Sequence, residues 1–134
     1  MKICAEKFIA YLKEKNLNFN TKEYEDGTVR VSFPYQGKVT DCIFNGDQGE
    51  YLSLYNVMEN TKKEKRGQIL EACNKVHTEY KWITLYVDDD DDLVAHHDAI
   101  VSPDDDGTEA FELLIRLVQI IDKLQGDLMQ AIYL

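Results

Sequence analysis

Five consecutive aspartates, Asp88 to Asp92, are the residues of this sequence with the clearest potential for chemistry. Carboxylate oxygens are the ligands that Ca²⁺ and Mg²⁺ prefer in proteins. An EF-hand loop starting at Asp88 would need glycine where Leu93 stands, glutamate where Ala99 stands and a helix on each side. We therefore favour a solvated turn that discourages edge-to-edge aggregation, and we keep a divalent-metal site at this turn as the alternative.

A second acidic motif, Asp104 to Thr108, has the DxDGT spelling of haloacid dehalogenase-like phosphatases. In those enzymes the first aspartate is the nucleophile and the second is an acid and base beside Mg²⁺. Only one predicted helix follows Thr108, so the later lysine and acidic pair that hold phosphate and metal have no place in this sequence. We expect these residues to cap that helix, and we predict no catalytic residue, no cofactor and no enzymatic activity.

The adjacent histidines His96 and His97 lie in a predicted strand and point to opposite faces, so they cannot bind one metal ion together. His96 and Asp98 share a face, and we expect a structural hydrogen-bonded pair because no serine or cysteine nucleophile is indicated nearby. Trp82 and Tyr86 are predicted on the same, wetter face, where aromatic side chains suit a binding surface. Ordinary core packing is the competing interpretation. The candidate partner-binding residues are Trp82, Tyr86, Asp88, Asp89, Asp90, Asp91 and Asp92.

Negative charge is concentrated in one part of the chain. The sequence has 25 acidic and 15 basic residues, and ten of the acids lie between Asp88 and Glu109 without a lysine or arginine among them. These ten acids account for the whole net charge of −10. Nucleic acids and anionic membranes need a basic footprint, so we expect neither as a partner. A local acidic segment concerns solubility and protein partners instead.

Length and cysteine spacing predict one globular domain over residues 1–134 in a reducing compartment. The cysteines Cys4, Cys42 and Cys73 are odd in number and widely spaced, so neither a disulfide framework nor a zinc site is expected. The N-terminal segment carries charges within its apolar pattern, which is unlike a signal peptide. No apolar run approaches the roughly 20 residues that a membrane span needs.

Hydrophobic periodicity predicts the strands that must position these residues. Residues 81–101 are expected to form a β-hairpin, because Ile83, Leu85 and Val87 alternate on one face of its first strand. Short connections between the other predicted strands favour an antiparallel sheet. Those strands are residues 28–33, 38–45 and 51–58, with a further short one near Tyr24.

Two helices are predicted before the hairpin. An amphipathic pattern covers Met1 to Asn16. Thr61 and Glu64 have capping-box spacing, so a second helix is expected to begin at Thr61. The basic residues that follow, up to Arg66, oppose the helix dipole and hint at an acidic neighbour, with a solvated basic face as the simpler explanation.

The last helix is expected to be capped by Thr108 or a neighbouring aspartate and to extend to about Ala131. Its apolar side chains sweep an arc of roughly 220°, whereas a helix that lies on one sheet needs only about 100°. The excess predicts a contact on a second side, with either another helix or a second subunit. We take this arc as an indication of a homodimer or a partner-binding surface.

The predicted order α-β-β-β-α-β-β-α, with an antiparallel sheet of about five strands, is an α+β fold that resembles the type III secretion chaperone-like fold. The stretch ILEACNKVHTEYKWITLYVDDDDDLVAHHDAIV and the helix GTEAFELLIRLVQIIDKLQGDLMQAI resemble the YbjN-like family of bacterial sensory transduction regulators. The shared pattern is a helix ending near an asparagine (here Asn74), an acidic turn between two strands, and a long helix with a late Ile121-Asp122. The run of five aspartates departs from the family's usually modest acidic turn.

The resemblance covers about half of the chain in detail and the rest in element order. It implies a cytoplasmic, non-enzymatic, homodimeric protein that acts through protein contacts, and it carries no active-site residues over. We therefore predict a protein-binding module, either a sensory transduction regulator or a chaperone-like adaptor. The alternative is an acidic divalent-metal-binding domain that uses the Asp88 to Asp92 turn.

Overall fold

The computed structural model describes all 134 residues, and it confirms the α+β class with an antiparallel sheet. The helices are α1 (Ile3–Glu14), α2 (Arg66–Glu79) and α3 (Thr108–Tyr133). The strands are β1 (Asn20–Glu23), β2 (Val29–Tyr35), β3 (Lys38–Asn45), β4 (Tyr51–Asn60), β5 (Thr84–Val87) and β6 (Asp92–Ile100). They form one sheet in the order β1-β2-β3-β4-β6-β5, in which every neighbouring pair is antiparallel.

The sheet has six strands, one more than the predicted number of about five. The additional strand is β1, which pairs with β2 from Asn20 opposite Ser32 to Glu23 opposite Val29. All four of its residues are exposed, so its sequence lacks the apolar alternation that marks the other strands. The short strand expected near Tyr24 therefore exists, and it ends one residue earlier.

The second helix begins later than its capping-box spacing predicted. Lys63–Lys65 form a 3₁₀ turn, and α2 starts at Arg66 without a side-chain cap. Thr61 is buried, and its backbone N–H and its hydroxyl both donate to the carbonyl oxygen of Asp91 at 2.7 Å. Thr61 thus fastens the acidic turn to the end of β4 instead of capping the helix.

All three helices cover the same face of the sheet, where one cluster of 29 buried residues forms the core. The Phe8 ring of α1 lies 5.5 Å from the Phe44 ring of β3, and Phe111 of α3 lies 6.4 Å from Phe33 of β2. α2 packs beside β5 and α3. The helices therefore form a single layer on one side of the sheet.

The wide apolar arc of α3 is covered within the chain. Its most buried residues, such as Leu114 and Leu117, lie in the core cluster. α3 contacts the sheet, where Phe111 meets Phe33, and it also contacts α1 and α2 within the helix layer. The predicted second-side contact is therefore made by helices of the same chain. The flanking apolar positions that pack, half-buried, against the core are Phe111, Leu113, Ile115, Ile120 and Met129.

The opposite face of the sheet carries no helix, and we call it the open face. Its residues alternate along β2, β3, β4 and β6 with the buried ones, and strand pairing aligns them in rows. None of them belongs to the core cluster. Two central rows are Arg30, Ile43, Ser53 and Asp98, followed by Ser32, Asp41, Tyr55 and His96.

Candidate protein-interaction surface

Three aromatic side chains form a patch on the open face. The imidazole of His96 stacks on the Tyr55 ring with centroids 4.5 Å apart and planes 6° apart. Tyr86 of β5 meets the same imidazole edge-on at 6.2 Å. Strand pairing places Tyr55 directly opposite His96 on adjacent strands, so the stack follows from the register. Such pairs each add about 0.5–1.5 kcal/mol to what burial alone contributes, which makes the patch well ordered.

Asp98 adds a negative charge at the edge of this aromatic patch. Its Oδ1 lies 2.8 Å from Nε2 of His96, which confirms the predicted pair. A hydrogen bond from the Ser53 hydroxyl, reinforced by His96, lowers the pKa of Asp98 below its ordinary value. The Asp98 side chain is 65% exposed, so a charged carboxylate faces solvent. Burial raises the pKa of the neighbouring Tyr86, which keeps its phenol neutral.

A groove of about 640 Å³ lies beside the patch, along β4 and β6. Tyr51 and Ile100 are opposite each other on these two strands, and they are 55% and 73% exposed. Ser53, Tyr55 and Asp98 supply polar groups to the same groove. Exposed apolar side chains grouped with aromatic rings are characteristic of surfaces that bind other proteins.

Reasoning from the sequence missed Tyr51, Tyr55 and Ile100 as candidate site residues. One signal was present, because Tyr51, Ser53 and Tyr55 alternate along β4 and must share a face. Alternation predicts that a strand has two distinct faces. It does not reveal which face the helices leave uncovered, and this depends on the packing of the whole chain.

The acidic turn between β5 and β6 folds around its own first aspartate. Oδ1 of Asp88 accepts the backbone N–H groups of Asp90 at 3.0 Å and Asp92 at 2.9 Å. Asp91 has a left-handed φ of 62°, which aspartate tolerates better than most residues. Asn60, at the end of β4, donates to the Asp92 carboxylate at 2.8 Å. The turn is therefore a defined structure rather than a loose run of charges.

Arg66 supplies the positive charge that the turn itself lacks. Its Nη1 lies 3.1 Å from Oδ1 of Asp91 and also donates to the carbonyl oxygen of Asp88 at 3.3 Å. Its Nη2 donates to the carbonyl oxygen of Val87 at 3.1 Å. The basic residues before α2 indicated an acidic neighbour. Arg66, at the start of α2, has such a neighbour in Asp91.

Residues 5–124 match the model of a family described as "Putative bacterial sensory transduction regulator". The chain belongs to the YbjN family. This match confirms the resemblance seen in the second half of the sequence and extends it through most of the first half. No curated protein matches the chain. None of the helices of this YbjN-family chain combines the length and apolar character needed to cross a membrane.

Three carboxylates of the YbjN-family chain come close enough to share a cation. One oxygen from each of Asp88, Asp90 and Asp92 lies within 4.8 Å of the others. Hard oxygen ligands of this kind suit Ca²⁺ or Mg²⁺. Oδ1 of Asp88 already accepts two N–H groups and Oδ1 of Asp92 accepts one from Asn60, so a cation must displace these bonds or use the other oxygens.

The DxDGT segment holds the start of α3, as predicted. Oδ2 of Asp105 accepts the N–H groups of Gly107 and Glu109, both at 2.9 Å. Oδ1 of Asp106 accepts the N–H of Thr108 at 3.1 Å, and hydrogen bonds from Thr108 lower the pKa of Asp106. The neighbouring aspartates Asp105 and Asp106, rather than the Thr108 side chain, satisfy the first N–H groups of the helix.

Trp82 does not share a face with Tyr86, so that prediction was wrong. Trp82 precedes β5 and has a left-handed φ of 62°, which breaks the alternation expected from the sequence. Its ring lies 5.0 Å from His97 and 5.9 Å from the guanidinium of Arg116 on α3, and its carbonyl oxygen contacts Nδ1 of His97. His96 and His97 do point to opposite faces. The candidate residues therefore lie in three places: beside α3, on the open face and at the acidic turn.

Proposed function

We propose that this YbjN-family chain is a non-enzymatic regulator or chaperone-like adaptor that binds another protein through its open face. The observation that carries the proposal is an uncovered sheet face with exposed Tyr51 and Ile100 beside the stacked Tyr55 and His96. Tyrosine is enriched among the residues that contribute most to protein binding. The description of the family as a regulator supports a role in protein contacts.

A cytoplasmic location is part of this proposal. All three cysteines are free and buried, which suits a protein kept in a reducing environment. The net charge of −10 favours a protein partner over nucleic acid or an anionic membrane, since those polyanions attract basic surfaces.

Affinity capture with matched bait variants tests the open face. The baits are the wild type, the open-face variant Tyr51→Ser/Ile100→Ser and the control Leu70→Ser, which changes an exposed apolar residue of α2. We expect one defined partner to bind the wild type and the control and to be lost from the open-face variant. Quantitative mass spectrometry identifies this partner, and calorimetry with the purified pair then measures its affinity.

A fourth bait separates the open face from the acidic turn. Asp89→Asn/Asp90→Asn removes two exposed charges whose carboxylates hold no hydrogen bond within the turn, so the fold should be unaffected. We expect this bait to retain the partner. Loss of the partner from this bait alone would move the binding site to the turn. Retention of the partner by the open-face variant would refute the proposal.

Divalent-metal binding at the acidic turn is the second candidate function, and the close approach of Asp88, Asp90 and Asp92 favours it. Calorimetric titration with Ca²⁺ and with Mg²⁺ tests it on the wild type and on Asp90→Asn/Asp92→Asn. Asp89→Asn is the control, because it removes one carboxylate of the same turn that lies outside the cluster. Saturable heat that the double variant loses and the control keeps would support a site. Equal heats for all three proteins would remove this candidate.

Homodimer formation stays a prediction. The wide arc of α3 no longer requires a second subunit, because the sheet, α1 and α2 cover it. Exposed Leu134 lines a groove of about 430 Å³ between α2 and α3, and exposed Tyr133 precedes it, so the end of α3 is a surface available for a dimer that leaves the open face free. Sedimentation velocity on the wild type and on Tyr133→Ser/Leu134→Ser measures the mass of the particle and locates the contact.

A further inference from the structure

We infer that the groove along β4 and β6 receives an extended segment of the partner protein that carries arginine or lysine. This inference rests on the proposed function, because it names the chemistry of the partner for the same open face. It is carried by the length and direction of the groove, by the charge along β6 and by the aromatic rings beside the groove.

The groove follows the two strands, so it matches an extended chain. Tyr51 and Tyr55 are four residues apart on β4, a distance of about 13 Å along a strand. Roughly four residues of an extended segment span this distance, and alternate side chains point toward the sheet. Tyr51 and Ile100 provide apolar contact at one end of the groove, and the stacked rings of Tyr55 and His96 lie at its other end.

The charge along the groove selects a basic segment. Asp98 projects an ionised, largely exposed carboxylate into it. β6 begins at the acidic turn and is followed by Asp104 to Asp106, and no lysine or arginine lies between Asp88 and Glu109. Asp98 is the charge that lies in the groove itself, and no lysine or arginine of β6 opposes it, so the groove attracts cationic segments and opposes acidic ones. A second copy of this chain, with its own net charge of −10, is opposed for the same reason.

Arg30 is the basic residue in the same row as Asp98, and its backbone lies well away from the backbone of Asp98. It stands on β2, and Asp98 stands on β6, three strand spacings away. Three spacings amount to about 14 Å. This separation exceeds the screening length of about 8 Å at physiological ionic strength.

Tyrosine rings give the groove a second means of holding a cation. A guanidinium or ammonium group over the face of a tyrosine ring is attracted by the ring's electron density. Tyr51 and Tyr55 both line the groove, on the strand next to Asp98. A carboxylate flanked by aromatic rings therefore complements a basic side chain in both charge and shape.

Peptide titration tests the inference. The probes are two fluorescein-labelled decapeptides, one in which arginine alternates with valine and one in which glutamate replaces each arginine. Fluorescence anisotropy at physiological salt gives their affinities for the wild type, for Asp98→Asn and for Asp89→Asn/Asp90→Asn. We expect the arginine peptide to bind at least about tenfold more tightly than the glutamate peptide. Asp98→Asn should lower the affinity for the arginine peptide about tenfold, and the turn variant should lower it less than about twofold.

Several results would overturn the inference. Three of them are that the arginine peptide does not bind at millimolar concentration, that both peptides bind equally, and that Asp98→Asn binds the arginine peptide as tightly as the wild type does. A loss confined to the turn variant would show non-specific attraction to the aspartates. Self-association that Ile100→Ser abolishes in sedimentation velocity would place a second copy of the chain in the groove instead. Urea unfolding of each variant checks that a lost interaction does not reflect a lost fold.

Failure of this inference can be told apart from failure of the proposed function. If the captured partner is lost from Tyr51→Ser/Ile100→Ser but is retained fully by Asp98→Asn, the open face binds a protein and the basic segment is wrong. If the partner is retained by both variants, the open face is not the binding site and both proposals fail.

Discussion

Gly107 precedes α3 and lies in close contact with α1. Its φ is +99°, a conformation that strains residues with a side chain. A Cβ placed on it would lie 2.7 Å from the carbonyl oxygen of Lys7 and 2.9 Å from Cβ of Tyr11. The first of these atoms is helix backbone, which cannot move aside without disturbing α1.

Gly107→Ala should therefore lower the free energy of unfolding by about 2–4 kcal/mol, through left-handed strain and overlap with α1. Gly126→Ala is the matched control, since Gly126 is an exposed residue inside α3, where an added Cβ would meet no other atom within 4 Å. The control should raise the free energy of unfolding by roughly 0.5–1 kcal/mol. Urea unfolding followed by circular dichroism measures both, and equal stability of the two variants would contradict this account.

Asp98 makes the stability of the protein depend on pH. Ser53 and His96 hold the pKa of Asp98 below the ordinary value that it has in the unfolded chain. Its stabilising contribution is therefore present above the ordinary pKa of about 3.9 and is lost as the pH falls through the lower folded value.

Asp98→Asn should thus be less stable than the wild type at pH 6, and this difference should shrink as the pH approaches 2. Urea unfolding at a series of pH values measures the free energy of each protein. Ser53→Ala should reduce the same acid dependence, because it removes the main hydrogen bond that lowers this pKa. A difference between wild type and Asp98→Asn that stays constant with pH would contradict the assignment.

At the scale of elements, α2 covers the outer edge of the β5–β6 hairpin. Nε2 of His77 accepts the N–H of Leu85 at 2.9 Å, and Arg66 donates to the carbonyl oxygen of Val87. The backbone groups of β5 are thus partly satisfied by a helix, which is one way of protecting an edge strand. The aspartates of the turn add charge to an edge that α2 already covers.

Arg66 should matter more than the other basic residues of its segment. Arg66→Ala removes three hydrogen bonds, to the Asp91 carboxylate and to the carbonyl oxygens of Val87 and Asp88, of which the last keeps the N–H of Asp91. The variant should therefore lower the free energy of unfolding by about 1–2 kcal/mol. Lys62→Ala removes the same charge from an exposed position and should change it by less than about 0.5 kcal/mol. Urea unfolding measures both variants. Faster amide exchange at Asp90 and Asp92 in Arg66→Ala alone would locate the effect in the turn, and equal effects of both variants would count against it.

At the scale of the whole molecule, the three thiols report how often the core opens. Cys4, Cys42 and Cys73 are buried in one cluster, and burial raises the pKa of each. Thiolates react with disulfide reagents and protonated, buried thiols do not, so native protein should react slowly.

Labelling with a coloured disulfide reagent tests this expectation. The wild type should react at a rate limited by unfolding, and all three thiols should react at once in concentrated urea. Val39→Cys, at an exposed position on the open face, is the control and should add one fast-reacting thiol in native protein. Fast reaction of the wild type would mean that the core opens far more easily than its packing indicates.

The class of the fold, most of its elements and the family resemblance could be predicted from the amino-acid sequence. Apolar alternation with period two and apolar stripes with period 3.6 are local signals. They identified the three helices and the strands, with bounds that differ from the structure by one or more residues, most of all at the start of α2. The same alternation placed His96 and His97 on opposite faces and His96 beside Asp98. The acidic segment from Asp88 to Glu109 was also evident from composition alone.

The free surface and the residues that share it depend on how the helices pack on the sheet. Three helices packed on one side of the sheet leave the other side open, and this choice exposes Tyr51 and Ile100 together. Trp82 does not lie on the predicted face, because its backbone turns before β5. Arg66 contacts the acidic turn, although Asp91 lies 25 positions further along the chain. Periodicity reports the two faces of an element, whereas the site depends on which faces meet when the chain folds.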